Sequence, residues 1–138
     1  MSPSIISHVS IGTNHFPSAI AFYDRVLQVL ECHRVMEHPG AVAWGRAFPE
    51  FWVQRPIDGR AANAGNGTHI GFIAPSREAV EQFHAAGLAA GGSDEGAPGP
   101  RADYGPQYYG CFLRDLDGHK IEAAFWDESN VGGSAREA

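Results

Sequence analysis

The chain has 138 residues, 43% hydrophobic and 19% charged, with a formal net charge of −6 and an isoelectric point near 5.5. That length suits one compact domain rather than two independent ones, and the balance is that of an ordinary globular protein. No run of Lys or Arg occurs, which argues against an electrostatic grip on nucleic acid or an anionic membrane. The longest apolar stretches are strand-sized, well short of a membrane span. The N-terminus MSPSIISHVS lacks a basic segment followed by a long apolar one, so no signal peptide is expected. Two cysteines, Cys32 and Cys111, form no disulfide framework, and reduced thiols in a cytoplasmic protein are the expectation.

In chain order, Ile5 to Gly12 is β-branched and reads as a first strand ending at the glycine. Asn14 is placed to cap a helix, Pro17 suits its first turn, and Phe16, Ile20, Tyr23, Leu27 and Leu30 recur at helical spacing. Three short strands follow, Cys32–Glu37, Ala41–Trp44 and Phe51–Gln54, the first two joined by a turn at Pro39-Gly40. Residues 56–67, rich in Gly, Ala and Asn, read as a linker between a first module (about 4–55) and a second (about 68–127). Thr68–Ile73 is a strand, and Ser76 caps a helix carrying Val80, Phe83 and Leu88 that ends at Gly91-Gly92. Asp94 to Pro106 reads as a long loop. Two final strands, Tyr108–Arg114 and Lys120–Trp126, flank the hairpin signal Asp115-Leu116-Asp117-Gly118. The tail 131–138 (VGGSAREA) is small and polar and is expected to fray.

The element order is β-α-β-β-β and then β-α-(β)-β-β, the bracketed strand having no run of its own, a repeat with a period near 61 residues from His8 to His69. His8-Val9-Ser10-Ile11 before the first helix matches His69-Ile70-Gly71-Phe72 before the second. Side chains alternate between the faces of a strand. His8 then shares a face with Ser10, His69 with Gly71, and Glu122 with Ala124, while the large apolar residues take the other face. The apolar face is expected to pack on helices and the other to line a cleft. A carboxylate in an apolar strand is costly to bury unless it is paired or bound to a metal. Two imidazoles and one carboxylate, His8, His69 and Glu122, make a three-ligand set that leaves coordination positions open. The competing reading has both histidines satisfied within their strands and Glu122 facing solvent. The remaining histidines, His15, His33, His38, His84 and His119, read as surface, turn or capping residues, and Cys111 as a small buried hydrophobe.

Three pieces of this sequence resemble the vicinal oxygen chelate superfamily. They are the opening His-Val-Ser with the helix SAIAFYDRVL, the middle Gly-Thr-His-Ile-Gly-Phe, and the closing Asp-Leu-Asp-Gly-His-Lys-Ile-Glu-Ala. That superfamily holds glyoxalases, bleomycin-resistance proteins, extradiol dioxygenases, methylmalonyl-CoA epimerases and fosfomycin-resistance thiol transferases. The resemblance implies an α+β fold: two βαβββ modules forming curved mixed sheets around a metal-binding cleft, with helices on the outer face. It implies one divalent ion (Fe, Mn, Ni, Co or Zn) on His8, His69 and Glu122, a small-molecule substrate, and a homodimer in which His8 could meet the partner's His69 and Glu122. Glyoxalases and epimerases take a fourth ligand from the fourth strand. Gln54 stands in that strand as a fourth ligand or a substrate contact, with Glu50 at its start.

The leading expectation is lyase or isomerase chemistry of lactoylglutathione lyase type, through a metal-bound enediolate with Glu122 moving the proton. An extradiol-type dioxygenase with a 2-His-1-carboxylate iron site is the alternative, and a non-catalytic binding protein of bleomycin-resistance type a further one. A thiol transferase acting on a phosphonate would need clustered cations, and only Arg101 and Arg46 are candidates. Ser10, Tyr104, Tyr108, Tyr109 and Arg101 are the expected pocket residues.

Overall fold

A computed structural model describes residues 4–130, so the tail expected to fray lies outside the described residues. Strand β1 (Val9–Gly12) leads into helix α1 (Phe16–Val29), followed by β2 (His33–His38), β3 (Ala41–Gly45) and β4 (Phe51–Gln54). The second unit repeats this as β5 (His69–Ile73), α2 (Arg77–Ala89), β6 (Ser93–Gly99), β7 (Tyr108–Arg114) and β8 (Lys120–Trp126). Each unit builds a four-stranded mixed sheet, ordered β1-β4-β3-β2 and β5-β8-β7-β6. In each, the first strand runs parallel to the last and the remaining pairs are antiparallel. The fold is α+β, built of two βαβββ modules.

Alternation sends one face of the central strands to the core, while the edge strands β2 and β6 bury no side chain fully. Phe51 and Val53 of β4, and Ile121 and Ala123 of β8, are at most 3% exposed, while the residues between them are not fully covered. They pack with Phe22, Tyr23, Val26, Leu27, Val80 and Phe83 from the helices into one core spanning both modules. The Phe51 and Phe72 rings meet edge to face, 5.1 Å apart, across the module boundary.

Three local expectations are corrected. The N-cap of α1 is His15, with no side-chain bond, and Asn14 instead pairs both ways with the Ala62 backbone, tying the inter-module segment to β1. Ser76 does cap α2, accepting from the Ala79 amide. The segment read as a loop from Asp94 holds β6, an edge strand with two register shifts, and then a single 3-10 turn at Ala102–Tyr104. Its sequence SDEGAPG lacks alternation, so only pairing with β7 makes it a strand. His119 is the third correction. It is 6% exposed, and its Nε2 donates to the Gly12 carbonyl at 2.7 Å.

That bond is one of several joining the β7–β8 turn to module one. Asp117 accepts from the Thr13 hydroxyl and, at 2.8 Å, from the Asn14 amide. Asp115, 7% exposed, accepts from the fully buried Tyr23 hydroxyl and from the amides of Asp117 and His119. Burial raises the Tyr23 pKa well above the ordinary phenol value and raises that of Asp115 from its ordinary value. Both cysteines are free, and burial pushes the Cys111 thiol up to about 11.

Asp115→Ala is expected to cost about 2–4 kcal/mol, because a buried hydroxyl and two amides lose their acceptor, and Tyr23→Phe only about 1 kcal/mol. Urea denaturation measures both. The raised Asp115 pKa means the folded chain holds a proton that the unfolded chain releases near pH 4. This contribution is complete below about pH 4 and is lost as pH rises through the folded pKa. Stability of the wild type should therefore fall over that range relative to Asp115→Asn. In the native protein at pH 8, iodoacetamide should leave Cys111 unlabelled, as read by mass spectrometry.

Candidate metal and substrate site

The face of the second sheet turned away from the helices carries the residues able to do chemistry. Register aligns Gly71 of β5 with Glu122 of β8, and Glu122 with Phe112 of β7. His69 lies two residues before Gly71 on the same face, and its Nε2 donates to Glu122 Oε1 at 3.0 Å. The His69 side chain is 46% exposed and that of Glu122 12%. The other carboxylate oxygen, Oε2, accepts from the Tyr108 hydroxyl at 2.6 Å. Burial, then the bond to Glu122, raises the Tyr108 pKa, so the phenol remains a donor at neutral pH.

Two glycines leave room for this arrangement. A Cβ at Gly71 would stand 3.1 Å from Glu122 Oε1, and one at Gly110 would stand 2.1 Å from the Tyr108 hydroxyl. Tyr108 is 2% exposed and lies edge-on to Tyr104 and Trp126, at 4.9 and 5.1 Å between centroids. Arg101 and Lys120 sit over the Phe112 ring at 5.7 and 5.0 Å. The Arg101 guanidinium is spent on the carbonyls of Ala97, Gly99 and Pro100, so it shapes its own loop. Tyr109, expected in the same pocket, is a further correction. It lies on the helix side and donates to Glu81 of α2 at 2.7 Å.

The matching face of the first sheet is built differently. Ser10 aligns with Trp52, as Gly71 does with Glu122, so Trp52 holds the position that the repeat makes equivalent to Glu122. Gln54 aligns with Gly12, two residues further along β4. The Trp52 ring stacks on His38, 6.1 Å apart and 3° from parallel. His8 precedes β1, is exposed, and its Nδ1 lies 2.9 Å from the Ser7 hydroxyl. Among the described residues of one subunit, no three His, Cys, Asp or Glu side chains cluster to hold a metal. His69 and Glu122 are brought together, and His8 stands apart from them. A cavity of about 420 Å³ opens at the module seam. Leu27, Trp44, Phe51, Ile70 and Phe72 line it from the core side, and His69 and Gly71 of the candidate site line it as well.

The donor set fits a metal as far as it goes. An imidazole nitrogen and a carboxylate oxygen are donors that divalent ions accept, and His69 and Glu122 bring one of each to within 3.0 Å. Tyr108 was among the expected pocket residues, whereas Trp52 was not, because only the pairing of β1 with β4 puts it across from Ser10, two residues after His8.

Fold and site together define a doubled βαβββ scaffold with an imidazole–carboxylate pair on an open sheet face. The chain belongs to the Glyoxalase/Bleomycin resistance protein/Dioxygenase superfamily, whose family model matches residues 5–123. It is similar to a glyoxalase/bleomycin resistance protein from Albidiferax ferrireducens, with 36% identity, a TM-score of 0.80, and coverage of 88% of this chain and 98% of that one. Two more distant structures share the fold. A lactoylglutathione lyase from Agrobacterium tumefaciens has 20% identity and a TM-score of 0.62, covering 90% and 95% of the two chains. A genomically encoded fosfomycin resistance protein from Listeria monocytogenes has 16% identity and a TM-score of 0.64, covering 93% and 98%. No curated protein sequence matches the chain.

Gly110→Ala is expected to force Tyr108 from its slot. Overpacking of that kind costs about 1–3 kcal/mol, measurable by urea denaturation. The Tyr108–Glu122 bond should be absent from a crystal structure of the variant.

Proposed function

We propose that this protein is a metal-dependent enzyme acting on a small molecule with two adjacent oxygens, by lyase or isomerase chemistry of lactoylglutathione lyase type. The observation that carries this reading is the His69–Glu122 pair, 3.0 Å apart on an exposed face, with the second carboxylate oxygen already satisfied. A divalent ion (Fe, Mn, Ni, Co or Zn) held there would supply Lewis acidity toward the substrate oxygens. Glu122 is the chain's candidate for moving the substrate proton, and Tyr108 keeps that carboxylate oriented. His8 completes the ligand set from a second copy of the chain, which makes the working unit a homodimer. Ser10 and Gln54 would then face the substrate from the partner's first sheet.

Trp52 supports a second reading. With an indole in the place equivalent to Glu122, the set is two imidazoles and one carboxylate, which suits non-haem iron and an extradiol-type dioxygenase. The Trp52–His38 stack would suit an aromatic diol. Reconstitution with each ion, followed by assay with the methylglyoxal–glutathione adduct and with catechols, separates the two readings. No bound ion after reconstitution would instead favour a non-catalytic binding protein.

One ion per subunit is expected by elemental analysis. His69→Ala and Glu122→Gln should weaken binding by more than the about 10–100-fold that loss of an outer partner costs. A mixed dimer of His8→Ala and Glu122→Gln subunits should regain one intact site, and recovery of ion binding on mixing checks the shared arrangement. Trp52→Glu should tighten binding by adding a ligand, measured by calorimetry with Ni²⁺.

A further inference from the structure

We infer that Tyr108 is a positioning residue that sets how Glu122 presents itself to a metal, an assignment resting on the metal-site reading above. The geometry allows Glu122 one free oxygen. Oε1 faces His69, while Oε2 is held at 2.6 Å by the phenol. A carboxylate so held offers a single oxygen rather than chelating with both, which leaves one more coordination position for substrate.

The placement of Tyr108 is rigid. Its hydroxyl occupies space that exists only because residue 110 has no side chain. Tyr104 and Trp126 fix the ring edge-on, and β7 pairs with β8 along its whole length, from Tyr108↔Trp126 to Arg114↔Lys120. The phenol does not reach the His69 side of the carboxylate, so it acts through Glu122 and not on the ion. Tyr109, the next residue, supplies an internal comparison: its hydroxyl also donates to a glutamate, Glu81, but on the opposite face of the sheet.

The test uses Co²⁺ binding by the full chain, read by calorimetry and by the visible absorption of the bound ion. Tyr108→Phe keeps the ring and its packing, and near-UV circular dichroism confirms the fold. The expected result is a Kd weakened about 10–100-fold. The Co²⁺ spectrum should also change, as the carboxylate loses the orientation the phenol gives it. Tyr109→Phe should match the wild type in both. An unchanged Kd and spectrum in Tyr108→Phe, or an equal loss in Tyr109→Phe, would overturn the assignment while leaving the metal site standing. Failure of the wild type to take up Co²⁺ would overturn both.

Discussion

The docking of the β7–β8 turn into module one is the contact on which the rest of the molecule depends. Asp115 and Asp117 are spent there, accepting from Tyr23, Thr13 and Asn14, and His119 closes the junction on the Gly12 carbonyl. A buried carboxylate is tolerable only when its lone pairs are filled, and among the described residues no buried side-chain polar atom lacks a partner. The turn is therefore held by the hydrogen bonds these carboxyl groups accept. It also fixes the end of β1 relative to the start of β8, and thereby the two strands that bear or border the candidate donors.

The scaffold repeats between the modules, and the site does not. The repeat puts Ser10 opposite Trp52 in one module and Gly71 opposite Glu122 in the other. Where module two opens space with glycine and fills it with a carboxylate, module one fills the same place with an indole stacked on His38. The two open faces are thus unlike: one offers nitrogen and oxygen donors, the other an aromatic surface with Gln54 beside it. A site made by facing them would hold a ligand by charge on one side and by stacking on the other.

Much of this was legible in the residues. Seven strands were legible as short β-branched or aromatic runs set off by turn residues, although β2 keeps nearly all its side chains exposed and β3 buries four in a row. The eighth, β6, was hidden because an edge strand over Gly and Pro needs no apolar face and takes its form from its neighbour. The His69–Glu122 pairing was readable from face assignments, since both residues oppose a line of apolar neighbours. His119 was misread for the opposite reason. A histidine beside Asp-Gly looks solvent-facing, and only the packing of one module on the other covers it. Likewise Tyr108 and Tyr109 are neighbours of the same type, and a one-residue step places them on opposite faces.

The division of donors has an energetic consequence. His69 and Glu122 lie within adjacent paired strands, so much of the ordering that a metal would demand of them is already supplied by folding. His8 precedes the first strand and is exposed, on the edge of its sheet, since β1 pairs only with β4. β5 is likewise an edge strand, paired only with β8. Edge strands leave backbone donors and acceptors unpaired and invite another chain. The preformed pair would set where an ion binds. On the proposal that His8 of a second copy completes the site, retention of the ion would depend on assembly, and affinity for the ion and association of subunits would be linked.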